Sequence, residues 1–220
     1  MSRSGGTLFV VVEGLDGVGK STVVSKLARQ LDAVELRTPS RELALHRDSI
    51  LRVFADSPLA TTMFYLASVL AGARDVMRWQ AQGRNVVMDR YYLSTLVYGE
   101  VVRGSEYPNA ELDAFSKWLI PADLTVYLHA NPECRLRRMQ ARGVLGVEDR
   151  LSFEPKIAQL LDDGYRRRRN HSVVGQFLPV DAGCQSVDDI VLLIQHWIWE
   201  HRLPNPPVLA EPTVAQGGAP

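Results

Sequence analysis

The chain has 220 residues, 46% of them hydrophobic and 23% charged, and its 25 Lys plus Arg are balanced by 25 Asp plus Glu. That is the composition of one ordinary globular α/β domain, and the absence of a global basic field argues against nucleic acid as a partner. Apolar runs such as residues 8–12 are too short to cross a bilayer, and residues 1–6 lack the apolar stretch of a secretory signal. The expectation is a cytoplasmic protein with no membrane partner.

In chain order, short β-branched runs alternate with amphipathic stretches. Residues 8–12, 34–36, 85–88, 124–128 and 176–180 read as buried strands, and 20–30, 59–82, 110–119, 132–142, 156–168 and 187–201 read as helices. Asn131 and Pro132 suit a cap and a first helical turn. The alternation predicts an α/β fold, a mainly parallel five-stranded sheet with helices on both faces. Ligands on such sheets bind at the carboxyl ends of strands. Residues 1–202 form the predicted single domain, and the Pro- and Gly-rich run 203–220 reads as a disordered tail. Cys134, Cys184 and five scattered histidines lack metal-ligand spacing, which predicts reduced thiols and no structural metal.

The first strand runs into GLDGVGKS, where Gly14, Gly19, Lys20 and Ser21 fit GxxxxGK[ST]. Glycines let such a loop wrap its amides around phosphate, Lys20 reaches toward the β and γ phosphates, and the Ser21 hydroxyl can ligate Mg²⁺. The dipole of the following helix favours the same anion. Gly14, Gly17, Gly19, Lys20, Ser21 and Thr22 are therefore the candidates for binding ATP phosphates.

A phosphate loop identifies a nucleotide but not a reaction. GTP-dependent switches need an NKxD-type guanine reader, which the chain lacks. Motor ATPases place a water-activating Glu after the Asp that ends the third strand, but here Asp89 is followed by Arg90. An arginine there suits a second anionic substrate and favours a kinase. Asp89 is the second candidate for positioning Mg²⁺, and Arg90 for holding an acceptor phosphate. Arg41, after the second strand, is a further phosphate clamp by its place in the chain.

Taken together, VVEGLDGVGKST at 11–22, TPSRE at 38–42, DRYYLSTLVYG at 89–99 and PADLTVYLHANPE at 121–133 resemble the thymidylate kinase family over residues 7–202. The resemblance implies the three-layer P-loop NTPase fold, ATP as donor, Mg²⁺ as cofactor and a pyrimidine deoxynucleoside monophosphate as acceptor. It implies that Asp16 contacts the acceptor sugar, Arg41 and Arg90 its phosphate, and Phe64 its ring. Ser94 and Thr95 would lie near the base, and Tyr98 would disfavour a 2′-hydroxyl. With Gly17 inside the loop, the transition-state arginine would come from a lid at about 141–154, either Arg142 or Arg150. Homodimers are common in the family.

Ser68 departs from this pattern, since it stands where the family usually has an arginine that contacts the 4-oxygen of thymine. The 4-position would then be read by Arg74 or another group, and base preference could have moved toward dCMP, dUMP or a 5-substituted analogue. A nucleoside kinase and a non-catalytic nucleotide binder are the remaining alternatives.

Overall fold

The computed structural model describes residues 6–104, 112–140, 151–183, 185–201 and 203. Five strands, all parallel, form one sheet: β1 (Phe9–Gly14), β2 (Ala33–Arg37), β3 (Asn85–Asp89), β4 (Leu124–His129) and β5 (Gln176–Asp181). Their order is β2-β3-β1-β4-β5. The chain thus moves from β1 outward on one side and then crosses back to the other. Such a reversal leaves a crevice at the carboxyl end of the central strand.

The residues of β1 explain its central place. Leu8, Val10 and Val12 enter one apolar layer with Val23, Val24 and Leu27, whereas Phe9 and Val11 enter the other with Leu66, Val69 and Val76. Successive side chains of a strand point to opposite faces, so an unbroken apolar run requires cover on both. The edge strands β2 and β5 are only partly buried, and Pro179 is tolerated in β5 because one side of that strand has no ladder to complete.

The helices among the described residues are α1 (Lys20–Gln30), α2 (Arg41–Val53), α3 (Pro58–Gln80), α4 (Tyr92–Val101), α5 (Pro132–Gln140), α6 (Pro155–Arg167) and α7 (Val187–Glu200). Ser57 caps α3 by accepting from the Ala60 amide ahead of Pro58. Asn131 does the same for α5 through the Cys134 amide, and Ser186 with Asp189 forms a capping box on α7.

The sheet and its five strands agree with the sequence reading, but three elements differ. Of the helix expected at 110–119, residues 112–113 are α-helical and Ala114–Trp118 form a 3₁₀ turn, with residues 105–111 outside the described chain. Helix α2 has no counterpart among the expected elements, and it buries none of its residues fully. Helix α4 has none either. Tyr92, Leu93, Thr95, Leu96, Val97, Tyr98 and Gly99 are all buried, and a helix enclosed on every side loses its 3.6-residue alternation. The tail residues 204–220 lie outside the described residues, as does 141–150 of the lid.

Strand register brings the chemical groups together. Asp89 at the end of β3 pairs with Val12 of β1 on one side and Arg37 of β2 on the other. Gly14 closes β1 at φ 141°, and a Cβ there would lie 2.3 Å from the Leu128 carbonyl oxygen. Gly14→Ala would force β1 and β4 apart. The expected loss is about 3 kcal/mol of stability, measured by urea unfolding. A loss within experimental error would show that the strand end can relax.

Candidate active site

The chain leaves β1 at Gly14 and wraps beneath the start of α1. Gly19 caps α1 in a left-handed conformation. Gly17, at φ 84°, lies so close to α5 that a Cβ would be 2.7 Å from the Arg135 carbonyl oxygen. Two buried or half-buried arginines of α5 hold this loop: Arg135 Nε donates to the Asp16 carbonyl at 2.7 Å, and Arg138 Nη1 to the Val18 carbonyl at 2.9 Å. The loop so held sits at the start of α1, where the helix dipole favours an anion.

Lys20 is the first residue of α1 and is buried. Its ammonium donates to the Leu15 carbonyl at 2.9 Å and stands 3.6 Å from Asp16. Burial, then the charge of Arg90, lowers its pKa to about 8 against the opposing pull of Asp16, Asp89 and Glu13. Thr22, next but one, is exposed on the first turn of α1.

Arg90 follows β3 with φ 65°, a conformation rarely adopted outside glycine. Strand β1 and the residue after β2 enforce it. The Arg90 amide donates to the Val12 carbonyl at 3.0 Å, and its carbonyl accepts from Thr38 Oγ1 at 2.9 Å. Fully buried Glu13 receives the Tyr91 amide at 2.9 Å and the Ser94 hydroxyl at 2.6 Å. Desolvation raises the Glu13 pKa despite the hydrogen bonds from Ser94 and the charge of Arg90. A strained turn persists where neighbours over-determine it, and such turns concentrate at functional sites.

The Arg90 side chain joins the two motifs. Its Nη2 donates to Asp16 Oδ1 at 2.5 Å and its Nη1 to Ser94 Oγ at 3.0 Å. Its guanidinium carbon is 5.4 Å from the Tyr98 ring centroid. The other Asp16 oxygen accepts from the Tyr98 hydroxyl at 3.2 Å. Burial alone would raise the Asp16 carboxyl, but Arg90 and then Lys20 hold it well below the usual carboxylate range.

Ser21 Oγ donates to Asp89 Oδ2 at 2.8 Å, while buried Asp89 Oδ1 has no hydrogen-bond partner among the described residues. A hydroxyl beside an unsatisfied carboxylate oxygen is the donor set of a hard divalent cation that retains several waters, which fits Mg²⁺.

A cavity of about 260 Å³ opens over these groups, and it gathers Asp16, Gly17, Gly19, Lys20, Ser21 and Asp89 with Arg90, Ser94, Thr95 and Tyr98. Ser68, buried on α3, reaches it too. Arg41 and Phe64 are not among its lining residues. Arg41 opens α2 with its side chain exposed, and Phe64 packs edge-on against Tyr65, which does line the cavity. Arg74 is exposed on α3. Arg142 and Arg150 lie outside the described residues.

Sequence reasoning missed Glu13 and Arg135, the cavity-lining Arg37, Arg47 and Arg103, and Tyr165, whose hydroxyl lies 2.9 Å from Ser94 Oγ. A Glu inside the apolar run preceding Gly14 is a legible sign of a buried carboxylate. The strand-end rule applied to Arg41 fits Arg37 better, since Arg37 is the last residue of β2. Arg47, Arg103 and Tyr165 have no local signal, because they arrive from α2, beyond α4, and α6.

A family model described as Thymidylate kinase matches residues 12–176. The thymidylate kinase of Francisella philomiragia subsp. philomiragia is 33% identical over 158 residues, 65% of this chain and 74% of that protein. The thymidylate kinase of Francisella tularensis subsp. novicida is 33% identical over 150 residues, 61% of this chain and 70% of that protein. A solved structure of thymidylate kinase from Candida albicans aligns with a TM-score of 0.69 at 18% identity, over 92% of this chain and 95% of that one. That last likeness carries the fold alone.

Proposed function

The chain belongs to the thymidylate kinase family, and from that premise we propose that it transfers the γ-phosphoryl group of ATP to the 5′-phosphate of dTMP. An oxygen of the acceptor phosphate attacks the γ-phosphorus, the bond to the β–γ bridging oxygen breaks, and its electron pair leaves with ADP. The products are dTDP and ADP. The acceptor oxygen is already anionic, so the step needs no general base, and positioning with charge neutralisation carries the rate.

The observation that carries this reading is the 2.5 Å contact between Asp16 of the phosphate loop and Arg90 of the β3 turn. It brings the donor cradle and an acceptor-phosphate clamp into one cavity. Lys20 neutralises the β and γ phosphates, and Arg90 with Arg37 and Arg47 draws the acceptor phosphate to the loop. Asp16 meets the acceptor sugar. Tyr98, whose hydroxyl burial and the Asp16 charge keep protonated, packs where a 2′-hydroxyl would crowd it. Ser21 and Asp89 would hold Mg²⁺, which supplies charge neutralisation at the transferred phosphoryl group. A lid arginine, Arg142 or Arg150, is the further cation of the reading, and cytoplasmic residence and a homodimer belong to it as well. Among the described residues no helix is long and apolar enough to cross a membrane.

The test is an acceptor screen with ATP and Mg²⁺. ADP release that depends strictly on dTMP supports the assignment. ATP turnover without any acceptor would make the protein an ATPase, and ATP binding without turnover would make it a silent nucleotide binder.

A pH dependence follows from Lys20. Its pKa of about 8 in the free protein means that its positive charge is present below that value and lost as pH rises through it. kcat/KM for ATP should therefore fall above about pH 8, while kcat at saturating ATP, whose phosphates restore the proton, falls less. Equal declines of both would place the titrating group elsewhere.

A further inference from the structure

The cavity is lined by two sets of side chains. Lys20, Arg37, Arg47 and Arg90 come from the phosphate loop, β2, α2 and the β3 turn. Tyr65, Ser68, Thr95 and Arg103 come from α3 and from α4 and its exit. The first set suits phosphate, and the second combines an aromatic face with polar edges, as a base requires.

Arg103 lies two residues past the end of α4 but is fixed by both helices. Its Nε donates to Thr62 Oγ1 at 3.2 Å and its Nη2 to the Thr95 carbonyl at 3.0 Å. Its guanidinium carbon stands 4.9 Å from the Tyr65 ring centroid. A long side chain anchored at three points has lost its rotamer freedom before any ligand arrives, so recognition through it carries little further entropic cost.

Ser68 cannot play the same part. Its hydroxyl proton is engaged by the Tyr65 carbonyl at 2.9 Å, so the oxygen it turns to the cavity is an acceptor. Among the described residues, the cation on the α3–α4 wall is Arg103. A guanidinium has five N–H donors and no acceptor.

We infer that Arg103 selects the base of the acceptor nucleotide, favouring a pyrimidine with an oxygen at position 4 over one with an amino group there. The inference rests on the phosphoryl-transfer reading above. A 4-oxygen accepts a charge-assisted hydrogen bond from the guanidinium, whereas a 4-amino group would set donor against donor beside a positive charge. The preference for a 4-oxo base is thereby kept in a chain that has Ser68 on α3, by a side chain delivered from α4.

Steady-state kinetics with ATP, Mg²⁺ and dTMP, dUMP or dCMP on the full chain and on Arg103→Met and Arg103→Lys test this, with thermal melting to verify folding. The wild-type chain should use the two 4-oxo acceptors ~100-fold better than dCMP in kcat/KM, well within the range of hydrogen-bond discrimination. Arg103→Met should lower kcat/KM for dTMP and dUMP ~30-fold or more, chiefly through KM, and change that for dCMP less than ~3-fold. If Arg103→Met fails to fold, Arg103→Lys decides, because losing the fork while keeping the charge should still reduce the dTMP-to-dCMP ratio ~5-fold or more. A loss shared equally by all three acceptors would make Arg103 a brace between α3 and α4 and overturn the inference, as would an unchanged ratio. No turnover of any monophosphate by the wild-type chain would instead sink the reading on which the inference rests.

Discussion

Lys20→Ala is expected to reduce kcat with ATP and dTMP by ~10³-fold or more while leaving the fold intact. Lys20 is the buried cation at the start of α1, and it is held there by the Leu15 carbonyl and by Asp16. Among the described residues no other lysine lines the cavity, so the charge has no substitute on the loop. Stability should change little, within about 1 kcal/mol, because truncation also removes an ammonium whose burial is unfavourable. Kinetics with dTMP and a urea titration give the two numbers. Activity within tenfold of the wild type would overturn the assignment of the phosphate loop.

Arg90→Met is expected to produce a different pattern: ~10³-fold lower kcat/KM for dTMP with KM for ATP changed less than ~3-fold. The guanidinium reaches Asp16, Ser94 and the Tyr98 face at once, so its loss removes the acceptor clamp and leaves the ATP cradle in place. It also removes the largest favourable influence on a partly buried carboxylate. Breaking a pair in this way destabilises, here by about 2 kcal/mol once the residual exposure of Asp16 is allowed for. The sign with pH is definite. Asp16, depressed in the wild type, contributes stability that is present above the ordinary carboxylate range and lost as pH falls below it. In Arg90→Met that acid-side dependence should shrink. A KM for ATP that rises as far as that for dTMP would show that Arg90 serves the donor instead.

These two residues differ from their neighbours in how plainly the sequence marks them. Lys20 is legible together with its role because GxxxxGKS acts through consecutive backbone groups, and spacing along the chain is then spacing in space. Arg90 is legible because it follows the Asp that ends a strand, and strand ends point to the crevice in any parallel sheet. Arg41 follows from the same rule one step too late. The residue that ends β2 is Arg37, and Ser40 has already capped α2, so Arg41 is turned outward on its first exposed turn. Phe64 and Tyr65 are not separable by pattern, since neighbouring residues on a helix differ by about 100° and only the packing of α3 decides which one meets the cavity.

What the chain itself spells out is the parallel sheet, the phosphate-loop motif, the Ser21–Asp89 pair and the arginine after β3. These depend on local backbone geometry and on strand order, both encoded in short-range patterns. The rest of the cavity depends on how the elements pack. Arg37, Arg47, Tyr65 and Arg103 meet across β2, α2, α3 and the end of α4, at sequence separations that no periodicity encodes. A side chain several bonds long takes its final direction from the helices packed around it, and here those contacts turn Arg103 onto Tyr65 at the cavity wall.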